Sequence, residues 1–506
     1  SATALLKYGK QNYLDFDLQT NPFQLNEMLP ILSAWQQYRP RGKVQAHVKG
    51  SGNPGDFSAM DYNGDIQMNG FSFQPGEKTK PVNNLNGTIA FRGNSLETTS
   101  ITARYGDSLL TLKGKIRSLK NPEAEITLSS PDFFLRDATP NSARSDAIIR
   151  KLRAVFTIRE GLYSFQSISG LLNTSDFNIS GTYMSGLTNE ANISITSTRL
   201  DLNDLKLFKS LTTPNGGRAG SAIAAKIKLD IEAGNYGRLQ FNKLNATIQQ
   251  ENGILYLLGT SVGIFDGQLS AKGRIASGGE QGDRYDLALD LVKADAEKLF
   301  TALDFSREVT GSLTLHGDLT ASGDSLAEIK KTALGNVKLQ MNNGKLRKFN
   351  TLSKVFSILN VSQLLKFHLP DMVTGGMPYN NITGSISIKD GSVSSQDLFI
   401  SSDAINISVV GSADVVKEEL NFTIGVQPLQ TVDKIVNRIP VVGWLLTGKD
   451  KNFLTAYFEA KGKWSNPQVS AIPVKSISKG ILNIFKRVFE LPVRLFTDTG
   501  EVILGQ

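Results

Sequence analysis

The residues able to do acid–base or metal chemistry are few. The 506-residue chain holds three histidines, His47, His316 and His368, and no cysteine. A chain without cysteine has no thiol nucleophile, zinc–thiolate site, disulfide framework or cysteine-ligated iron–sulfur cluster. His47 alternates with Ala46 and Val48, and His316 with Leu313 and Leu315, so both fall on the polar side of an alternating run. Solvated side chains are expected there rather than a general base. His368 precedes Leu369-Pro370 at a predicted helix end. Gly50-Ser-Gly-Asn-Pro-Gly55 spells G-x-G-x-x-G, but a dinucleotide fingerprint must open a helix, and Pro54 followed by a strand-like run predicts a turn. Asp61-Tyr-Asn63-Gly-Asp65 begins like a calcium loop, then places Ile66 where the loop needs glycine and Ser72 where it needs glutamate. No G-x-S-x-G occurs. The reading is a non-enzyme with no catalytic residue, no metal site and no cofactor.

Charge narrows the partners. There are 55 Lys and Arg against 47 Asp and Glu, a net charge of +8. The lysines are scattered instead of forming a basic stripe interleaved with aromatics, so nucleic acid is not expected. Hydrophobic residues make up 40% and charged residues 20%, a foldable composition. No apolar run approaches 18 residues, so no transmembrane helix is expected. Residues 1–4 lack the basic and apolar regions of a signal peptide.

Any site must be carried by strands, because the dominant pattern has period two. Ala225-Lys-Ile-Lys-Leu-Asp-Ile231 is one example, with apolar residues on one face and Lys or Asp on the other. Asn63-Gly64, Asn252-Gly253, Asp266-Gly267 and Asp390-Gly391 are tight-hairpin signals between such runs. Four 30-residue segments, 85–114, 152–181, 244–273 and 382–411, share one grammar: an apolar start, an apolar residue at offset 4, a turn glycine at offset 8 or 9 and a closing glycine. Their irregular spacing predicts related hairpins with insertions rather than a solenoid. A second unit recurs: strand, polar turn, short helix, then a glycine-opened strand. The predicted helices are 25–38, 202–211 and 294–303, with Asp201 and Asp295 near two of the starts. They would plug or cap the sheet. Antiparallel meanders of on the order of 30 strands at ~4.7 Å spacing cannot stay one flat sheet. Either several closed sandwiches form, or the sheet coils into a trough with an apolar lining. Periodicity alone leaves both open.

Two amphipathic helices stand out. Residues 350–367 carry Leu352, Val355, Phe356 and Leu359 on one stripe, suited to packing over the sheet's end or gating a trough. From 476 to 496 the chain nets +4 between Lys475 and Arg494, and Ile481, Phe485, Val488 and Phe489 share a face beside Lys486 and Arg487. Pro492 breaks or kinks this segment. Its two readings are a membrane-contacting helix and a helix docked on its own protein.

The ordered series Asn350–Asn360, Gly376-Met-Pro-Tyr379, Ile382–Gly391, Ile439-Pro-Val-Val-Gly443 and Gly462-Lys-Trp-Ser-Asn-Pro467 resembles the C-terminal region of the AsmA-like family of bridge-like lipid-transfer proteins. The resemblance implies a mostly β fold: an elongated, curved antiparallel sheet forming an apolar groove, with short plug helices and a C-terminal amphipathic segment. It implies three regions: repeated hairpins over 1–340, an AsmA-like β region over 341–475, and a membrane-contacting tail over 476–506. It further implies phospholipid transport between inner and outer membranes in the periplasm, an inner-membrane anchor preceding these residues, and phospholipids, membranes and periplasmic or membrane proteins as partners. The expected lipid-binding residues are Leu85, Ile89, Phe91, Leu110 and Leu112; Leu152, Phe156, Ile158, Phe177 and Ile179; Leu244, Ile248 and Leu269; and Ile382, Ile386, Ile388, Ile407 and Val409. The alternatives are a periplasmic scaffold or assembly factor for outer-membrane proteins with sealed sandwich cores, and a β-helical polysaccharide enzyme, which would need clustered acids.

Overall fold

A computed structural model describes residues 2–7, 12–28, 33–76, 79–138, 146–186, 189–204, 224–279, 282–302, 309–347, 354–355, 376–429, 444–447 and 453–490. Predicted helix 350–367, apart from Lys354 and Val355, lies outside these residues, as do His368 and Pro492. The chain divides into two compact units, Ser1–Gly253 and Ile254–Gln506, with the division inside the third repeat.

The first unit contains fifteen described strands, from Ala2–Lys7 to Leu239–Glu251. Neighbours along the chain pair antiparallel almost throughout. One pair is parallel: Glu190–Asp201 runs beside Ala224–Tyr236. Period-two alternation then places every apolar set on one side. Ile101, Leu112, Leu128, Ala154, Ile168, Ile179, Ile195, Leu229 and Ala246 stand opposite one another in turn across nine strands. Lys226, Lys228 and Asp230 point to the other side and are exposed.

The repeats share a feature that composition does not announce. In each, the middle strand sets two residues, at offsets 14 and 15, against one on the following strand: Thr99-Ser100, Gln166-Ser167, Leu258-Gly259 and Gln396-Asp397. These are β-bulges, which bend a strand and raise its local twist. Repeated bulges let a sheet of more than ten strands avoid lying flat. The closing glycines are obligatory for a related reason. Gly181, Gly273 and Gly411 hold φ of 146°, 151° and 145°. A Cβ there would meet the carbonyl oxygens of Asn192, Asp286 and Asn421 at 2.0, 2.0 and 2.1 Å.

The insertions leave from one rim, and each is latched to the neighbouring hairpin. Ser108 donates to buried Asp137 at 2.7 Å and accepts from the Phe134 amide at 2.9 Å. Ser175 repeats this with Asp204 and the Asp201 amide, at 2.6 and 2.9 Å. In the second unit the counterpart is an exposed ion pair, Lys298 to Asp266 at 2.5 Å. Asp295 accepts from the Lys298 amide, the expected capping, while Asp201 accepts from the Asn203 amide in a turn. Predicted helix 202–211 lies outside the described residues beyond 204, and the other two are shorter than expected. Residues 25–38 contain two 3₁₀ turns, Leu25–Met28 and Ser33–Tyr38. The third is helix α1, Ala296–Ala302.

The second unit has twelve described strands, from Ile254–Ile264 to Gln468–Ala471. Helix α2, Leu326–Thr332, joins two of them, with Ser325 accepting from the Glu328 amide as its cap. Helix α3, Lys479–Glu490, follows the last strand.

Candidate functional site

The apolar face of the first unit is a floor without a ceiling. Leu85, Ile89, Phe91, Leu110, Leu112, Leu152, Phe156, Ile158, Phe177, Ile179, Leu244 and Ile248 are all half-buried. A sandwich core would leave such side chains almost without exposure. Here each is screened by its neighbours along and across strands, and the described residues lay no second sheet over them. At the rim the turn Leu135–Asp137 inserts Leu135, 1% exposed, against Ile149 and Leu172. This turn lies outside the three segments expected to plug or cap the sheet.

The second unit differs along its length. Leu269, Ile386, Ile388 and Val409 are half-buried. Ile382 and Ile407 are sealed, at 5% and 0% exposure. They belong to a buried row of Ala294, Leu313, Met341, Ile382, Ile400, Ile407, Val426 and Ala456 that faces the insertion rim. In the last strands the seal extends to Ile424, Phe458 and Ala460. Val355, fully buried, joins this cluster. The apolar face is thus half-buried in the first unit and closed at the far end of the second. The sequence carries no signal for that change, because Ile386 and Ile407 occupy the same kind of alternating strand.

Helix α3 lies on the reverse side. Adjacent strand residues point oppositely, so Val410 and Tyr457 face away from Val409 and Phe458. Phe485 is fully buried against them, with its ring 5.2 Å from that of Tyr457. Phe489 stacks on Phe485 and meets Phe399 edge-on at 6.1 Å. Gly425 makes room: a Cβ there would lie 3.0 Å from Phe485. Burial pushes the Tyr457 hydroxyl up to about 12. The face expected to enter a membrane, Ile481, Phe485, Val488 and Phe489, is therefore turned onto the protein's own sheet, with Val488 at 7% exposure. The physical reason is that the same apolar stripe satisfies either partner, and the sheet is tethered next to it. Lys475, Lys479, Lys486 and Arg487 remain exposed.

The candidate chemistry resolves into structure. His47 Nε2 lies 3.8 Å from Asp17, and His316 Nδ1 lies 2.7 Å from Asp290. Both pairs sit half-exposed on the polar face; the sequence reading foresaw the exposure but not the carboxylate partners. No described hydroxyl bonds either imidazole, so neither pair is a nucleophile–base constellation. Asp61, Asn63 and Asp65 lie on one strand, Asp61–Phe73, and share its polar face instead of curling round an ion. Asn53 accepts from the Gly55 amide at 2.9 Å, closing a turn where a dinucleotide fold would open a helix. Among the described residues no cluster of three or more metal-ligating side chains occurs. A shallow hollow on the polar face of the first unit, edged by Glu97, Lys113, Lys115, Glu125 and Thr157, is occupied by cross-strand charge pairing, Lys115 to Glu97 at 3.7 Å and Arg117 to Glu125 at 2.7 Å. Among the described residues no helix is long and apolar enough to cross a membrane.

A family model described as YhdP protein matches residues 164–469, more than half of the chain. No curated protein and no solved structure matches. The chain belongs to the YhdP family, a member of the AsmA-like group of bridge-like lipid-transfer proteins, which are in general membrane-associated and non-enzymatic.

Proposed function

We propose that this member of the YhdP family is a non-enzymatic phospholipid conduit of the periplasm, passing lipid between inner and outer membranes with its acyl chains laid along the apolar floor. The observation that carries the reading is the half-buried floor itself, which crosses strand after strand without a break. Moving a sixteen-carbon chain through water costs roughly 0.8 kcal/mol per CH₂, or ~13 kcal/mol. A continuous apolar surface removes most of that barrier, and sliding along it makes and breaks no covalent bond. No acid, base or metal is required of the protein. Lys475, Lys479, Lys486 and Arg487, exposed around docked helix α3, are suited to hold one end against anionic head groups, each worth about 1 kcal/mol at such a surface.

The scaffold reading draws support only from the sealed strands of the second unit. The two readings separate on one pair of substitutions. Ile248 and Ile386 are half-buried, so Ile248→Arg and Ile386→Arg are expected to fold, with thermal midpoints close to the parent, while blocking lipid transfer between donor and acceptor vesicles. Ile407→Arg buries an unpaired charge and is expected to unfold its unit. Folded Ile248→Arg and Ile386→Arg proteins with undiminished transfer, and no phospholipid bound to the parent after mild purification, would leave the scaffold reading standing.

A further inference from the structure

The floor of the first unit has two unlike rims, and strands Leu162–Leu172 and Ser175–Met184 run from one to the other. At the rim that carries the insertions the floor is closed. Leu172 and Ile149 are register partners, 1% and 5% exposed, packed with Leu135. Ser175, the partner of Leu172, donates to the Asp204 carboxylate at 2.6 Å, as does Asn173, and no described cation pairs with that carboxylate. At the opposite rim the two strands meet no insertion. The turn Glu160-Gly161 opens the first of them, and the last full row of the floor is Ile158, Tyr163 and Tyr183. Alternation puts both tyrosines on the floor side, with Phe165 and Ile179. Their rings lie 5.8 Å apart and are half-buried, and neither hydroxyl has a hydrogen-bond partner among the described residues.

We propose that a phospholipid on this part of the floor lies with its head group at the Tyr163–Tyr183 rim, where the two hydroxyls donate to its ester or phosphate oxygens, and with its acyl chains running toward the closed rim. The inference rests on the lipid-conduit reading and adds the orientation of the lipid to it. A tyrosine has an apolar body and a polar tip, and suits the level at which hydrocarbon gives way to water. The reverse orientation strips a phosphate of water against Leu135, Ile149 and Leu172 and brings it toward the Asp204 carboxylate. Length fits as well. One leaflet of a ~30 Å hydrocarbon core is ~15 Å deep. At ~3.4 Å per residue, a chain entering at Tyr183 ends just past Ile179, well short of the seal. Exposed charges at the tyrosine rim are of both signs, Arg159 beside Glu160 and Glu190, so the hydroxyls rather than net charge make the contact.

The test gives the full chain phosphatidylethanolamine–phosphatidylglycerol vesicles containing one of two photoactivatable phosphatidylethanolamines. One carries a diazirine on the head-group nitrogen, the other at the end of an acyl chain. After irradiation, adducts are mapped by peptide mass spectrometry. The head-group probe is expected to label residues 160–164 and 182–185 at least fivefold more than residues 168–172 and 177–179, and the chain-end probe to show the opposite preference. Tyr163→Phe with Tyr183→Phe keeps both rings, and is expected to hold the parent's melting midpoint while lowering the head-group adduct at 160–164 and 182–185 at least threefold. Equal labelling of the two regions by each probe, or the reversed pattern, overturns the orientation and leaves the conduit intact. An unchanged head-group adduct in the double variant overturns the assignment to the hydroxyls. Absence of both probes from the floor of a folded protein overturns the conduit reading, and the orientation with it.

Discussion

Asp137 shows how single side chains hold the sheet's rim. Burial alone would raise its pKa, but bonds from Lys80, Ser108 and the Asp107 amide outweigh that and hold the carboxyl below its ordinary value near 3.8. A depressed carboxylate contributes stability that is present above the unfolded value and lost as pH falls through the folded one. Asp137→Asn is therefore expected to lower the melting midpoint clearly at pH 7 and progressively less below about pH 4; a deficit independent of pH would contradict the role of the charge. Ser108→Ala removes one of the carboxylate's bonds and strands the Phe134 amide, and is expected to cost about 1–3 kcal/mol in urea unfolding. The glycines give a sharper contrast. Gly273→Ala forces a Cβ to 2.0 Å from the Asp286 oxygen at positive φ, whereas Gly259→Ala meets nothing within 4 Å. The first is expected to destabilise by more than 1 kcal/mol and the second to be near neutral, as read by parallel denaturant titrations. The closing glycine is legible in the sequence as a recurring letter. The carbonyl that demands it sits on the following strand and is visible only in three dimensions.

Among elements, the strands were the readable part and the helices were not. Alternation and Asn-Gly or Asp-Gly turns locate hairpins such as 239–264 because pleating converts sequence parity directly into facing. The parallel pair Glu190–Asp201 and Ala224–Tyr236 escapes such reasoning, since a crossover insertion and a hairpin insertion look alike in composition. The bulges at offsets 14 and 15 escape it as well, because polar residues such as Gln166-Ser167 fit either face. Helix α3 was legible as amphipathic, but an apolar stripe does not say whether sheet or bilayer covers it. Its docking predicts a separation of roles. Phe485→Ala is expected to cost about 3–5 kcal/mol and loosen the helix, because the ring is fully buried. Lys486→Glu with Arg487→Glu is expected to leave the melt unchanged and weaken sedimentation with anionic vesicles, more at low salt than at high. Unaltered vesicle binding in the double variant would exclude this surface as the contact.

At the scale of the whole molecule, an apolar face was foreseeable and its exposure was not. A strand such as Ala225–Ile231 carries the same alternation in a sandwich and in a trough, and family resemblance rather than periodicity favoured the trough. The half-buried floor of the first unit and the sealed strands of the second are properties of what surrounds each face. The most direct measurement of the central claim compares the two sides of one strand. Ile179 lies on the apolar floor, while its neighbour Ser180 points to the opposite face. A photo-crosslinking amino acid at each position, in protein purified from cells and analysed by mass, is expected to carry covalent phospholipid at 179 and none at 180. Equal labelling at the two positions, or none at either in a folded protein, would contradict an acyl chain lying along the floor.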